Sequence, residues 1–276
     1  MTFLDKLSAA QERNHSWVCV GLDTDPDKIP TSLRAQSDSV IKFNRAIIQA
    51  TQDLVCAYKP NLAFYLMRGS QGITELQATI AAIPRDIPIV LDAKFGDIDS
   101  TARNYARFTY DVLGVDAVTL NPYLGADALT PFLESADHAI FLLAHTSNPT
   151  ARIFQDQLID NEPLYIHVAR YARDLEGLIN LPGLVGLVVG ATFPEQLRDA
   201  RAANPNAVFL IPGIGAQGGS IADAVTFGKT AQGIGPLINA SRSILYASSS
   251  DDFANAACAA TLKMRDEING GRQVNK

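Results

Sequence analysis

At 276 residues, with 47% hydrophobic and 19% charged residues, the chain has an ordinary globular composition and enough apolar side chains to bury a large core. A net charge of −6 and a pI near 5.2 argue against a nucleic-acid surface, which needs clustered Lys and Arg, so any phosphate bound must be small and pocketed. The length suits two domains or one α/β barrel of about 250 residues, and the pattern along the chain has to decide.

Residues 1–14 interrupt their apolar positions with Asp5, Lys6, Glu12 and Arg13, which breaks a signal-peptide core, and an extra N-terminal helix is expected there. No apolar run approaches the ~18 residues of a membrane helix, so a cytoplasmic protein without membrane contact is expected. Eight short apolar, β-rich runs follow, at 17–22, 55–59, 87–94, 117–120, 139–144, 184–189, 208–211 and 235–240. They are continuous rather than alternating, as strands of a parallel sheet covered by helices are. Helical periodicity fills the intervals at 39–51, 100–113, 164–178, 194–203 and 253–268. Such βα units can close into a (β/α)8 TIM barrel or spread into an open doubly wound sheet; the count favours closure. No linker or composition shift marks a boundary, so 1–276 is expected to be a single domain, with 269–276 frayed. Cys19, Cys56 and Cys258 are widely spaced without a CxxC pair and read as buried apolar side chains rather than disulfide or zinc partners.

Charge collects at the ends of these runs. Asp92 and Lys94 sit two apart at the end of the third, so strand alternation puts them on one face. Alone, such a pair is equally well a structural salt bridge. However, Asp23 follows the first run and Lys59 closes the second, and catalytic groups of a barrel enter at C-terminal strand ends. After the seventh run comes Pro212-Gly-Ile-Gly-Ala-Gln-Gly-Gly219, and after the eighth Ser241-Arg242. A glycine loop this late in the chain fits a monophosphate held by backbone N–H groups, not a dinucleotide. The four histidines lack ligand spacing, and His145 reads as a hydrogen-bonded structural residue. Arg103 and Arg107 read as a solvated or subunit-facing surface, and Tyr105, Phe108 and Tyr110 as core or interface packing.

Together these residues resemble the orotidine 5′-phosphate decarboxylase family. Its signature Asp-x-Lys-x-x-Asp is matched by Asp92-Ala-Lys94-Phe-Gly-Asp97 with Ile98 following, and Gly21-Leu-Asp23, Lys59-Pro-Asn61, Thr146-Ser147-Asn-Pro149, the glycine loop and Ser241-Arg242 match elsewhere. The resemblance spans nearly the whole chain and suits the longer bacterial subgroup. It implies a cofactor-independent carboxy-lyase without a metal, converting orotidine 5′-phosphate to uridine 5′-phosphate in UMP biosynthesis. Lys94 would donate a proton to C6 within a network of Lys59, Asp92, Lys94 and Asp97, with Asp97 supplied by the partner of a homodimer with shared active sites. Substrate contacts are implied at Asp23 (ribose), Ile98, Thr101, Ser147 (pyrimidine), Pro212, Gln217 and Arg242 (phosphate) and Ser241. Thr150 departs from the glycine usual after Ser-Asn-Pro, which bears on the 151–163 loop. Two other classes stay open: a metal-dependent sugar-phosphate lyase or aldolase of the same barrel type, and a silent barrel that binds nucleotide monophosphates.

Overall fold

The computed structural model describes residues 1–215 and 218–274. Its barrel strands are β1 Val18–Gly21, β2 Ala57–Lys59, β3 Val90–Phe95, β4 Ala117–Leu120, β5 Ala139–His145, β6 Leu184–Val189, β7 Phe209–Ile211 and β8 Leu237–Ala240, and Leu158–Ile159 pairs with Glu162–Pro163 in a small antiparallel hairpin outside the barrel. The barrel strands form one eight-stranded sheet in the order β2-β1-β8-β7-β6-β5-β4-β3, with parallel pairing throughout. The isolated bridges Tyr58↔Ile89 and Asn61↔Asp92 join β2 to β3 and close the ring. Eight parallel strands with helices between them make a (β/α)8 barrel, and each strand falls within or beside an apolar run of the sequence.

Alternate residues point inward. Cys19, Ala57, Val90, Ala117, Phe141, Val208 and Leu237 fill the lower interior together with Phe3 and Leu7 of the N-terminal helix Phe3–Arg13. That helix starts in a capping box between Thr2 and Asp5 and is tied down by Lys6 on Asp116, 2.6 Å away at the foot of β4. Phe3 meets Phe141 edge-on at 6.0 Å, so the helix plugs the N-terminal end of the barrel. The opposite end stays open.

Two segments differ from expectation. The helix expected over 100–113 is α-helical only from Asp99 to Arg107 and continues as a π turn over Phe108–Val112. The tail from Asn269 is not loose: the last helix runs Phe253–Val274, because Asn269 donates to the His15 carbonyl (2.8 Å) and Arg272 lies over Trp17 (4.3 Å). Residues 275 and 276 lie outside the described residues. The turn at Thr150 needs no left-handed backbone, and Asn148 Nδ2 donates to Thr150 Oγ1. No described helix is long and apolar enough to cross a membrane.

Leu7 is fully buried in the plug. Leu7→Ala should lower the unfolding free energy by about 2–5 kcal/mol, read from the denaturant midpoint. An unchanged midpoint would show that the helix is not part of the core.

Candidate active site

At the C-terminal end of the strands opens a cavity of about 510 Å³. Asp23, Lys59, Asp92 and Lys94 line it from β1 to β3, Ser147 from the loop after β5, and Pro212, Ser241 and Arg242 from the ends of β7 and β8.

Its centre is Asp92. Oδ2 accepts from Lys59 Nζ (3.0 Å) and Asn61 Nδ2 (3.3 Å), while Oδ1 accepts from Lys94 Nζ and Thr119 Oγ1 (3.1 Å). A carboxylate offers about four lone-pair sites, and this one has a donor for each. Lys59 Nζ also lies 3.8 Å from Asp23 Oδ1. Asp92 and Lys94 meet as expected, but not through regular strand alternation. Leu91 pairs with Val118 and Phe95 with Leu120, so Asp92, Ala93 and Lys94 all oppose Thr119 across a bulge. Lys94 there adopts φ +53°, a left-handed conformation rare for a side chain of this kind.

The charges are mutually stabilised. Burial pulls the Lys59 ammonium down, but the Asp23 and Asp92 carboxylates more than offset this and leave it above the ordinary lysine value. Burial pushes Asp92 up, yet Lys59 and Lys94 outweigh it and hold the carboxyl well below the usual range. Lys59 is only 3% exposed, whereas the Lys94 side chain is 47% exposed at the cavity rim. The network therefore presents one accessible ammonium backed by a fully engaged carboxylate, an arrangement suited to stabilising negative charge and delivering a proton.

The other walls are polar in a different way. Gly213, Gly215 and Gly218 have φ of +98°, +79° and +80°, so the loop after β7 takes a path that side-chain-bearing residues resist. The Arg242 side chain has no ion-pair partner among the described residues and faces the same end of the cavity. After β5, Gln155 accepts from Thr146 N (2.8 Å) and Thr192 donates to the Ser147 carbonyl (3.1 Å), which fixes the segment carrying Ser147. Gly190 lets that segment approach, since a Cβ there would lie 2.8 Å from Ser147 Cα. His145 is buried below, 2.9 Å from Asp156, and burial keeps its pKa under the ordinary histidine value: a structural residue, as its sequence context suggested.

Asp97, Ile98 and Thr101 are not brought into this cavity. Asp97 accepts from Ile98 N (2.8 Å), Ile98 is 47% exposed, and Thr101 stands exposed on the first turn of helix Asp99–Arg107. Gln217 lies outside the described residues. Asn61, Thr119, Asn239 and Tyr246 line the cavity without having been singled out from the sequence. Tyr246 donates to the Asp23 carbonyl (3.2 Å) and accepts from Asp25 N (2.7 Å). Asn61 alone carried a signal, since it stands in Lys59-Pro-Asn61; Thr119 and Asn239 sit inside apolar strands and carried none. Asp23 Oδ1 and Asn239 Oδ1 are buried acceptors without a hydrogen-bond donor, the first with only the Lys59 ammonium near it.

A depressed carboxyl pKa contributes stability above the ordinary value of 3.8 and loses it as pH falls through the folded value. A raised lysine contributes below the ordinary 10.5 and loses it as pH rises through the folded value. Between those limits the pair's contribution is constant. Lys59→Met removes the cation shared by Asp23 and Asp92 and should cost about 3 kcal/mol at neutral pH. The deficit should shrink toward acid although the wild-type contribution is constant there, because in the variant Asp92 stays buried with one cation fewer and takes up a proton at higher pH. Unfolding midpoints at about pH 5 and pH 8 read this; a pH-independent deficit would contradict it.

Residues 16–257 match the family described as "Orotidine 5'-phosphate decarboxylase / HUMPS family". The orotidine 5′-phosphate decarboxylase of Thermomicrobium roseum is 48% identical over 97% of this chain and 95% of its own length, and that of Roseiflexus sp. 47% over 98% of both. The structure of Leishmania donovani OMP decarboxylase superposes with a TM-score of 0.85 at 38% identity, covering 99% of each chain. With a family match across most of its length and relatives this similar from end to end, the chain belongs to the orotidine 5′-phosphate decarboxylase / HUMPS family.

Proposed function

We propose that the protein decarboxylates orotidine 5′-phosphate to uridine 5′-phosphate and CO2, the last step of de novo UMP biosynthesis, without a cofactor. The observation that carries this is the Lys59–Asp92–Lys94 network at the rim of a cavity whose other walls hold Ser147 and Arg242. A cavity of about 510 Å³ has room for one nucleotide, with an ammonium, a serine hydroxyl and a guanidinium spaced around it.

In the reaction the bond between C6 and the carboxylate breaks, CO2 leaves, and the electron pair stays on C6 in an orbital the ring cannot delocalise. Lys94 stabilises that charge and transfers a proton from Nζ to C6, after which the amine regains a proton from water. Asp92, with its lone pairs engaged by four donors, keeps the Lys94 ammonium aimed. Asp23 takes a ribose hydroxyl, Ser147 reads the pyrimidine, and Arg242 with Gln217 and the glycine loop holds the phosphate, with Pro212 and Ser241 beside them. Phosphate binding, remote from C6, orders the site for the reaction. Asp97, Ile98 and Thr101 project away from their own cavity and serve the neighbour's site in a homodimer. The protein works in the cytoplasm.

Purified protein should consume orotidine 5′-phosphate, followed by its ultraviolet absorbance, and keep full rate in excess EDTA. No turnover would overturn the proposal, and loss with EDTA would favour a metal-dependent sugar-phosphate lyase. Lys94→Ala should lower kcat at least about 10³-fold while still binding uridine 5′-phosphate; near-normal turnover would remove Lys94 from its role. Mixing inactive Lys94→Ala and Asp97→Ala chains should restore about a quarter of wild-type activity, because half the dimers then hold one intact site of two. No recovery after exchange would place Asp97 outside a shared site.

A further inference from the structure

We infer that Thr119 is a positioning residue for this reaction, its one hydroxyl fixing both the backbone and the counter-ion of Lys94. The inference rests on the role proposed for Lys94. Thr119 lies on the inner face of β4 and is 1% exposed. Its Oγ1 accepts from Ala93 N and Lys94 N, both at 3.0 Å, and donates to Asp92 Oδ1 at 3.1 Å. A hydroxyl has one proton and two lone pairs, so all of its capacity is spent on the three residues that oppose it across the bulge.

Each contact has a consequence. The two N–H groups belong to a segment whose ladder to β4 is interrupted, so Thr119 takes the place of the missing main-chain acceptors. Lys94 at φ +53° holds that conformation only while its surroundings impose it, and the bond to its own N–H is such a constraint. The donated proton fixes the Asp92 oxygen that Lys94 Nζ also binds, so the ammonium is located from both ends of its residue.

Valine keeps the shape of threonine and loses all three bonds. Thr119→Val should therefore leave Ser147 and the phosphate end in place, change KM little, and lower kcat about 10- to 100-fold by misplacing Lys94. Thr119→Ser, which keeps the hydroxyl, should stay within a few-fold of wild type. If the valine variant does not fold, Thr119→Ala carries the same comparison. A wild-type kcat in the valine variant, or an equal loss in the serine variant, would overturn the inference. A crystal structure of Thr119→Val separates this from the functional proposal: Lys94 should leave the left-handed region whether or not the protein decarboxylates. Lys94 retained at positive φ would defeat the inference, while an inactive wild-type protein would defeat only the proposed function.

Discussion

The upper half of the barrel is organised around one carboxylate. Asp92 accepts from Lys59 on β2, Asn61 just beyond it, Thr119 on β4 and Lys94 on its own strand, so a single side chain links three adjacent strands. The backbone ladder is thinnest here. β2 and β3 are joined only by isolated bridges, with Asp92 N donating to the Pro60 carbonyl at 2.9 Å, and β3 leaves β4 for three residues. The ionic contacts therefore lie along the seam that closes the ring. A buried ion pair offsets its desolvation only when its remaining valences are satisfied, and Asp92 meets that condition.

Stability and chemistry are separated along the barrel axis. Below, Phe3 and Leu7 press into a layer of small and branched residues, and the plug is anchored by Lys6 on Asp116, which also accepts from Ile89 N at 2.8 Å. Above, the inward positions of the same strands become Lys59, Asp92, Thr119 and Asn239. At this level Asp92 and Thr119 have every hydrogen-bonding valence engaged, whereas Asp23 and Asn239 each keep one buried oxygen without a hydrogen-bond donor.

The barrel was legible because buried parallel strands are written as continuous apolar runs, and all eight were read close to their observed limits. The charged strand ends were legible for the same reason: Asp23, Lys59, Asp92 and Lys94 stand out against apolar neighbours. What joins them was not. Alternation places Asp92 and Lys94 on one face, whereas a bulge with Lys94 at positive φ brings them together, and nothing in Leu-Asp-Ala-Lys-Phe announces a bulge. Thr119 reads as an ordinary β-branched strand residue, and its importance depends on what β3 does opposite it. The π turn at Phe108–Val112 and the ordered tail escape periodicity too: the first keeps a helical pattern, and the second depends on long-range contacts to His15 and Trp17. Asp97, Ile98 and Thr101 match the family pattern but lie outside the cavity of their own chain.

The central claim is that this network is aimed at the carbon that loses CO2. A crystal structure with a non-reactive analogue of orotidine 5′-phosphate tests it most directly. The account predicts C6 within about 3.5 Å of Lys94 Nζ, the phosphate against Arg242 and the glycine loop, and Asp97 of the second subunit beside the ring. An analogue seated with its ring away from Lys94, or its phosphate at the Lys59 end, would contradict it.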